Sequence, residues 1–374
     1  MIVAGEASGD MHGARLVNIL RGLMPDIQVS GVGGPEMAAA GVEILFRAEE
    51  LTLMGFSDLP ARLGHILAVL RSLRRFLKNN RPDLLILIDF PDFNFRMGKA
   101  AKRLGIKVLY YICPQVWAWR RGRAAKMTGF VDRLAAVFPF EPDFLTEIAP
   151  QLNAFFVGHP LMDAPPAQEN DPGPLPVPAG AELVGILPGS RMSEVKCILP
   201  LLFKAAARMR KQRPNLHFVL PLAPGLQRER VEPFLAKAPP GFTLIPGRAA
   251  QVMQSARLLL VASGTATLQA ALAGAPMVVV YKTGWFNYAV ARGLVKVDFI
   301  AMPNLVAGRE VVPELIQGRA RPQAVAELGL ALLEDGPKRR EMIAGLHEVK
   351  ERMGGPGASR KVAEMAREMI LENT

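Results

Sequence analysis

Two successive series of short apolar runs, each run separated from the next by a helical stretch, constrain this chain more than any other feature. Runs of this kind suit strands buried on both faces, and their alternation with helices is the signature of a parallel sheet covered by helices. In the first half the predicted strands are Met1 to Ala4, Ile27 to Val32, Leu84 to Ile88, Lys107 to Ile112, Ala135 to Phe138 and Ala154 to Val157. The pattern then stops. Between Ala164 and Gly180 the prolines Pro165, Pro166, Pro172, Pro174, Pro176 and Pro178 stand among polar residues, a composition that suits an extended linker. A second series follows, with strands predicted at Leu183 to Leu187, His217 to Leu220, Thr243 to Ile245, Leu258 to Ala262 and Met277 to Tyr281. After Arg321 the sequence is charged and helical to its end. The expected fold class is α/β: two doubly wound, Rossmann-type domains facing an interdomain cleft, with C-terminal helices. The expected boundaries are 1–163 for the first domain, 164–181 for the linker, 182–350 for the second domain, and 351–374 for a helix packing across both.

A length of 374 residues agrees with two cores, since one core rarely organises so much chain. Half of the residues are apolar, a share that raises the question of a membrane. The longest uncharged run, Leu258 to Tyr281, contains Ser263, Gly264, Thr265, Thr267, Gln269, Gly274 and Pro276, which divide it into strand, turn, helix, turn and strand. The opening Met-Ile-Val-Ala-Gly-Glu has no basic region or apolar core of signal length, so a cytoplasmic location is expected. Cys113 and Cys197 have no paired spacing and suggest neither a disulfide framework nor zinc. A net charge of +11 favours an anionic partner: nucleic acid, a phospholipid surface or a phosphorylated substrate. An arginine-rich proteome explains the same charge without any partner.

Ligands in open parallel sheets bind beyond the carboxyl ends of the strands, so candidate chemistry belongs there. Gly5-Glu6-Ala7-Ser8-Gly9-Asp10 follows the opening strand and precedes a helix; its small residues let a substrate approach the backbone, and the helix N-terminus attracts anions. An ordinary strand-to-helix turn capped by Ser8 or Asp10 is the plainer reading. Leu84 to Ile88 delivers Asp89 to the end of a fully apolar strand. A carboxylate in such low-dielectric surroundings has its pKa raised toward neutrality and can take a proton from an attacking hydroxyl. Pro114-Gln115-Val116-Trp117-Ala118-Trp119-Arg120 offers aromatic faces to a sugar or, equally, packs its indoles into the core.

In the second half, Leu187-Pro188-Gly189-Ser190-Arg191 ends a strand and opens a helix. Backbone N–H groups with a guanidinium suit a diphosphate whose charge grows as it leaves. Ala262-Ser263-Gly264-Thr265-Ala266-Thr267-Leu268-Gln269 repeats that geometry, with a polar side chain in the first turns to meet a ribose. Two such turns in one domain point to a nucleoside diphosphate. Pro303-Asn304-Leu305 adds an uncharged amide in a loop of small residues. No Asp-x-Asp pair and no metal spacing among His12, His65, His159, His217 and His347 are present, so no metal is expected and catalysis falls to Arg191 and helix N-termini. From Ser57 to Lys78, Leu59, Leu63, Ile66, Leu67, Leu70, Leu73 and Leu77 form a stripe at helical period beside Arg71, Arg74, Arg75 and Lys78. A basic amphipathic helix lies on anionic lipid; a core helix with a solvated edge gives the same pattern.

Taken in order, Ala4 to Asp10, Ile88 to Asn94, Val116 to Arg120, Leu187 to Arg191, Ala262 to Ala266 and Pro303 to Leu305 make the whole chain resemble the lipid-A-disaccharide synthases. The resemblance implies a metal-independent, inverting glycosyltransferase of the GT-B fold, without a cofactor, in Gram-negative lipid A biosynthesis. It implies UDP-2,3-diacylglucosamine as donor, 2,3-diacylglucosamine 1-phosphate as acceptor, and the β-1,6-linked disaccharide 1-phosphate and UDP as products. By position, Asp89 resembles the catalytic carboxylate, Arg191 a diphosphate contact and Asn304 a further essential polar residue. Glu6, Ser8 and Gly9 would line the acceptor side, and Gly189, Ser190, Ser263, Gly264, Thr265, Ala266 and Gln269 the UDP side. Related glycosyltransferases often place Glu where this chain has Gln269, which can still accept one ribose hydrogen bond. Diacylated substrates have to be drawn from a bilayer, so the resemblance turns Leu59, Leu63, Ile66, Leu67, Leu70, Arg71, Arg74 and Arg75 into expected contacts with anionic lipid at the cytoplasmic face of the inner membrane. A homodimer is compatible with this; nucleic acid is not an expected partner. Two other readings share the motifs: another GT-B enzyme on UDP-GlcNAc-type substrates, such as a peptidoglycan glycosyltransferase or an epimerase, and a non-catalytic UDP-sugar-binding protein docked on a membrane.

Overall fold

The computed structural model describes residues 1–52, 59–118, 121–163, 173–284 and 297–372, the side chains of 52 and 59–63 excepted. The chain divides into two compact units, 1–163 with 354–374, and 164–353. The first holds seven parallel strands: β1 (Ile2–Ala4), β2 (Ser30–Gly33), β3 (Glu43–Arg47), β4 (Leu84–Ile88), β5 (Lys107–Tyr111), β6 (Arg133–Ala136) and β7 (Ala154–Phe156). Their order across the sheet is β3-β2-β1-β4-β5-β6-β7. The second unit holds β8 (Glu182–Leu187), β9 (Leu216–Leu222), β10 (Phe242–Pro246), β11 (Leu258–Ala262), β12 (Met277–Tyr281) and β13 (Glu314–Ile316), in the order β10-β9-β8-β11-β12-β13. Both are doubly wound: chain order reverses between β1 and β4 in one sheet and between β8 and β11 in the other, and a crevice opens at each reversal.

The central strands form because nothing in them needs water. Every residue of β4 is at most 6% exposed, and each such aliphatic side chain contributes roughly 1.5 to 3 kcal/mol by leaving solvent. The two strands that the alternation did not predict, β3 and β13, are edge strands. β3 has exposed charged ends, and β13 has only three residues, so neither carries the apolar run that marks a central strand. The long uncharged segment resolves into β11, the helix Thr265–Leu272 and β12. Among the described residues no helix is long and apolar enough to cross a membrane.

The helix Leu59–Asn80 corrects one expectation. Val69, Leu70, Leu73 and Leu77 are at most 2% exposed and belong to the core of the first unit, with Ile66 packed against it. Leu70 is therefore no lipid contact: it lies on the inward face with Leu73 and Leu77, three and seven residues on. Leu67, at 42% exposure, faces outward with Arg71, Arg74 and Arg75. The expected contacts Leu59 and Leu63 fall outside the described side chains, as Pro165, Pro166 and Pro172 of the proline-rich stretch fall outside the described residues. The last helix, Ala358–Leu371, packs along Ala7–Leu23 of the first unit. Asp163 caps it, accepting from the Gly357, Ala358 and Ser359 N–H groups at 2.5, 3.0 and 2.7 Å.

Candidate functional site

At the reversal point of the first sheet, β1 pairs with β4 so that Ala4 lies opposite Ile88. The turns that follow, Gly5-Glu6 and Asp89-Phe90, thus emerge side by side. Asp89 is half-buried, and burial first, then the neighbouring Glu6 carboxylate, push its carboxyl up to about 6 from the ordinary 3.8, while a bond from the Phe90 N–H pulls the other way. A carboxylate at that value is mostly ionised near neutrality yet basic enough to accept a proton, the balance a general base needs. Gly5 is required where it stands, because a Cβ there would run into the Phe90 ring. Glu6 and Ser8 are exposed at the start of the helix Ala7–Leu23. Gly9 faces inward: a Cβ on it would press on the Ala4 Cβ at 3.2 Å, so its smallness serves helix-to-strand packing. Asp10 is buried and caps the following helix, Pro35–Ala39, accepting from Gly34, Glu36 and Met37 N–H groups at 2.6, 3.0 and 3.1 Å.

The aromatic segment after β5 takes the packing alternative at Trp117, which is 5% exposed, with its ring edge-on to Phe138 and Phe140 at 6.1 and 5.3 Å. Its indole N–H donates to Glu141 at 3.1 Å, and the same carboxylate accepts from the Val137 and Phe138 N–H groups, both at 3.0 Å. Burial pushes the Glu141 carboxyl up to about 7 despite those three donors. Trp119 and Arg120 lie outside the described residues.

In the second sheet the reversal lies between β8 and β11, and there too both predicted motifs emerge. Gly189 has φ +108, a conformation that favours glycine, and a Cβ on it would collide with the Glu194 carboxylate. Glu194 accepts from the Ser190 and Arg191 N–H groups at 3.0 and 3.3 Å and stands 3.6 Å from the Arg191 guanidinium. Arg191 itself is 76% exposed at the N-terminus of the 21-residue helix Met192–Gln212, where the dipole and the guanidinium act in the same direction on an anion. Across the crevice, Gly264 opens the helix Thr265–Leu272, with Ala266 half-buried and Thr265 and Gln269 exposed one turn apart. The Ser263 hydroxyl donates to the Ile300 carbonyl at 2.8 Å, which leaves its oxygen able only to accept.

Asn304 does not reach this surface. It is fully buried, its amide nitrogen donating to the Val312 carbonyl and to Glu314, both at 2.8 Å, and its oxygen accepting from the Val311 and Val312 N–H groups at 2.7 and 2.9 Å. With the amide fully engaged, the expectation that it acts on a substrate gives way to a supporting role. Glu314, which sequence reasoning did not single out, also accepts from the Ile300 and Ala301 N–H groups. Thr267 donates to the Gly264 carbonyl at 2.7 Å and accepts from Met302 at 3.2 Å. Asn304, Glu314 and Thr267 together fix residues 300–302 behind the Ser263-Gly264 turn. A lone polar residue inside an apolar stretch, as Glu314 is between Val312 and Leu315, was the available signal.

Two parallel, doubly wound sheets, each opening a crevice at its reversal point, one presenting a carboxylate and the other a cationic helix terminus, define the GT-B fold. The calicheamicin glycosyltransferase CalG4 shares it at a TM-score of 0.63 and 17% identity, covering 99% of this chain and 97% of that one. So does a UDP-GlcNAc 2-epimerase from Neisseria meningitidis bound to UDP-GlcNAc, at 0.64 and 14%, covering 98% and 99%. Such low identities speak for the fold alone. The sequence is more specific: residues 1–369 match the LpxB family, described as lipid-A-disaccharide synthetase. The chain is 44% identical over 372 residues to a lipid-A-disaccharide synthase of Anaeromyxobacter dehalogenans, covering 97% of this chain and 95% of that one. It is 42% identical over 374 residues to one of Geobacter sulfurreducens, covering 99% and 97%. The chain belongs to the lipid-A-disaccharide synthase family and is a glycosyltransferase.

Proposed function

We propose that this chain condenses UDP-2,3-diacylglucosamine with 2,3-diacylglucosamine 1-phosphate, releasing UDP and the β-1,6-linked disaccharide 1-phosphate. The observation that carries the mechanism is the Asp89 carboxylate at the reversal point of the first sheet, held up to about 6 by burial and Glu6. Asp89 takes the proton from the acceptor 6-hydroxyl as that oxygen attacks the donor anomeric carbon. The bond to the UDP oxygen breaks with its electron pair going to the diphosphate, and attack from the opposite face inverts the anomeric centre. Glu6 and Ser8 line the acceptor. Arg191, with the helix terminus at Gly189-Ser190, meets the charge developing on the departing diphosphate, and Ser263, Gly264, Thr265, Ala266 and Gln269 meet the rest of UDP. Asn304 acts one layer back, through the 300–302 segment.

The acyl chains bring the enzyme to a bilayer. On this reading it docks peripherally on the cytoplasmic face of the inner membrane through Leu67, Arg71, Arg74 and Arg75, a surface supported by their exposure and by a helix, Leu59–Asn80, that contains no acidic residue. Incubating the full chain with both lipid substrates in EDTA tests the reaction. Disaccharide 1-phosphate and UDP in equal amounts are expected; turnover of UDP-GlcNAc in their place, or binding of donor without turnover, would overturn it.

A further inference from the structure

Asp89 and Phe90 are consecutive residues in the left-handed region, with φ of +44 and +46, and neither is glycine. Such a pair persists only where its surroundings hold it. Here the hold comes from two fully buried polar side chains, Tyr110 on β5 and Asn94 on the helix Pro91–Arg103. The Tyr110 hydroxyl donates to the Asp89 carbonyl oxygen at 2.6 Å and the Asn94 amide donates to the same oxygen at 2.7 Å; that amide also reaches the Ile88 carbonyl at 3.1 Å. On its other side the Asp89 N–H donates to the Tyr111 carbonyl at 3.1 Å, as a continuation of the β4–β5 ladder. Both ends of the residue are thus fixed, and only its side chain is left free of the clamp. If Asp89 relaxed to an extended conformation, its carbonyl would swing off both donors and its carboxylate would turn to a new direction.

We propose that Asn94 and Tyr110 are positioning residues for the transfer reaction, clamping the Asp89 carbonyl so that the strained turn aims the carboxylate at the acceptor hydroxyl. The inference rests on Asp89 as the base. Neither residue touches substrate. Their burial means that no water replaces a deleted donor without rearrangement, so loss of either loosens the aim rather than the binding of UDP.

The test places Tyr110→Phe and Asn94→Leu in the parent chain and in Asp89→Asn, with kcat, acceptor KM, UDP affinity and the pH dependence of kcat/KM measured in the full chain. Tyr110→Phe is expected to lower kcat about 10-fold and Asn94→Leu up to about 100-fold, with UDP affinity unchanged, because small misplacements of a reacting group cost rates of this order. Neither should lower the residual rate of Asp89→Asn further, since the group they aim is already gone. In the otherwise parental chain each variant's acidic limb should also shift to lower pH, as a carboxylate released toward water loses the burial that raises it. An equal fractional loss in both backgrounds indicates a general structural effect and overturns the inference, as does a Tyr110→Phe variant with the parental rate and profile. Tyr110→Phe removes one oxygen and keeps the ring, so the test stands even where Asn94→Leu does not fold. Near-parental turnover by Asp89→Asn alone defeats the base assignment itself, an outcome separate from a normal Tyr110→Phe in an enzyme that needs Asp89.

Discussion

The carboxyl edge of the first sheet presents the proposed base on a backbone held from behind: Asp89 is half-buried, in a left-handed turn fixed by fully buried Asn94 and Tyr110, with the Phe90 ring packed against Gly5. The carboxyl edge of the second sheet presents Arg191 at 76% exposure on a helix terminus, with buried polar side chains fixing the loop beside it. The difference fits the two chemistries proposed for these edges. A base needs its proton affinity raised, and burial does that, at the cost of a strained and rigid setting. A group that meets a departing diphosphate keeps its charge whatever its surroundings, so it can stay in water until the ligand arrives and needs only direction.

Asp89→Asn probes the first edge hardest. Turnover is expected to fall by roughly 10² to 10⁴ while UDP still binds, as for a lost general base. Stability should move the other way. Because the folded carboxyl sits at about 6 against 3.8 unfolded, ionising it destabilises the fold once pH rises past that window, and the amide avoids the penalty. The variant should therefore gain on the order of 1 to 3 kcal/mol at pH 8, seen in denaturant unfolding; a less stable variant would place the activity loss in folding instead. At the second edge the largest effect belongs to the buried framework. Asn304→Leu strands the Val311 and Val312 N–H groups and removes a donor from Glu314, a loss of about 2 to 4 kcal/mol in the unfolding of that unit. Parental stability would show that the framework is dispensable.

Arg191→Ala is expected to lower turnover about 10- to 100-fold, below the usual loss for an enclosed oxyanion donor because this guanidinium is solvated. Arg191→Lys should fall between, since it keeps the charge and loses the planar fork. Equal rates for the two variants would mean that the fork contributes nothing. The smallest effect is at the membrane: replacing one of Arg71, Arg74 or Arg75 by Ala should weaken partition onto anionic vesicles by about 1 kcal/mol, with turnover of dispersed short-chain substrate unchanged. Leu70→Ala should instead reduce stability without changing partition, and vesicle partition unchanged by the arginine substitutions would make that surface the solvated edge of a core helix.

Much of this was legible in the sequence, and the reasons are local. The run Leu84 to Ile88 is apolar at every position and ends in an acid, so strand, burial and exit point are read from consecutive residues. The same holds for Leu187 to Arg191 and Ala262 to Thr265, where glycine marks the turn. What stayed hidden depends on partners distant in sequence. Glu314 matters through Ile300, Ala301 and Asn304, Tyr110 through Asp89, and Glu141 through Trp117. Periodicity placed Leu67 and Leu70 on one stripe, but only the core it packs against decides which edge of that stripe turns inward. The edge strands β3 and β13 escaped notice because an edge strand needs no continuous apolar run.

The central claim, that Asp89 is a base tuned by its burial, is tested most directly by the pH dependence of kcat/KM in the parent and in Asp89→Asn. The account predicts that the parental value falls tenfold per pH unit below about 6 as the carboxyl takes up a proton, and that the residual activity of the variant lacks this limb. An identical acidic limb in both proteins would contradict it, because the proton governing the reaction would then reside elsewhere.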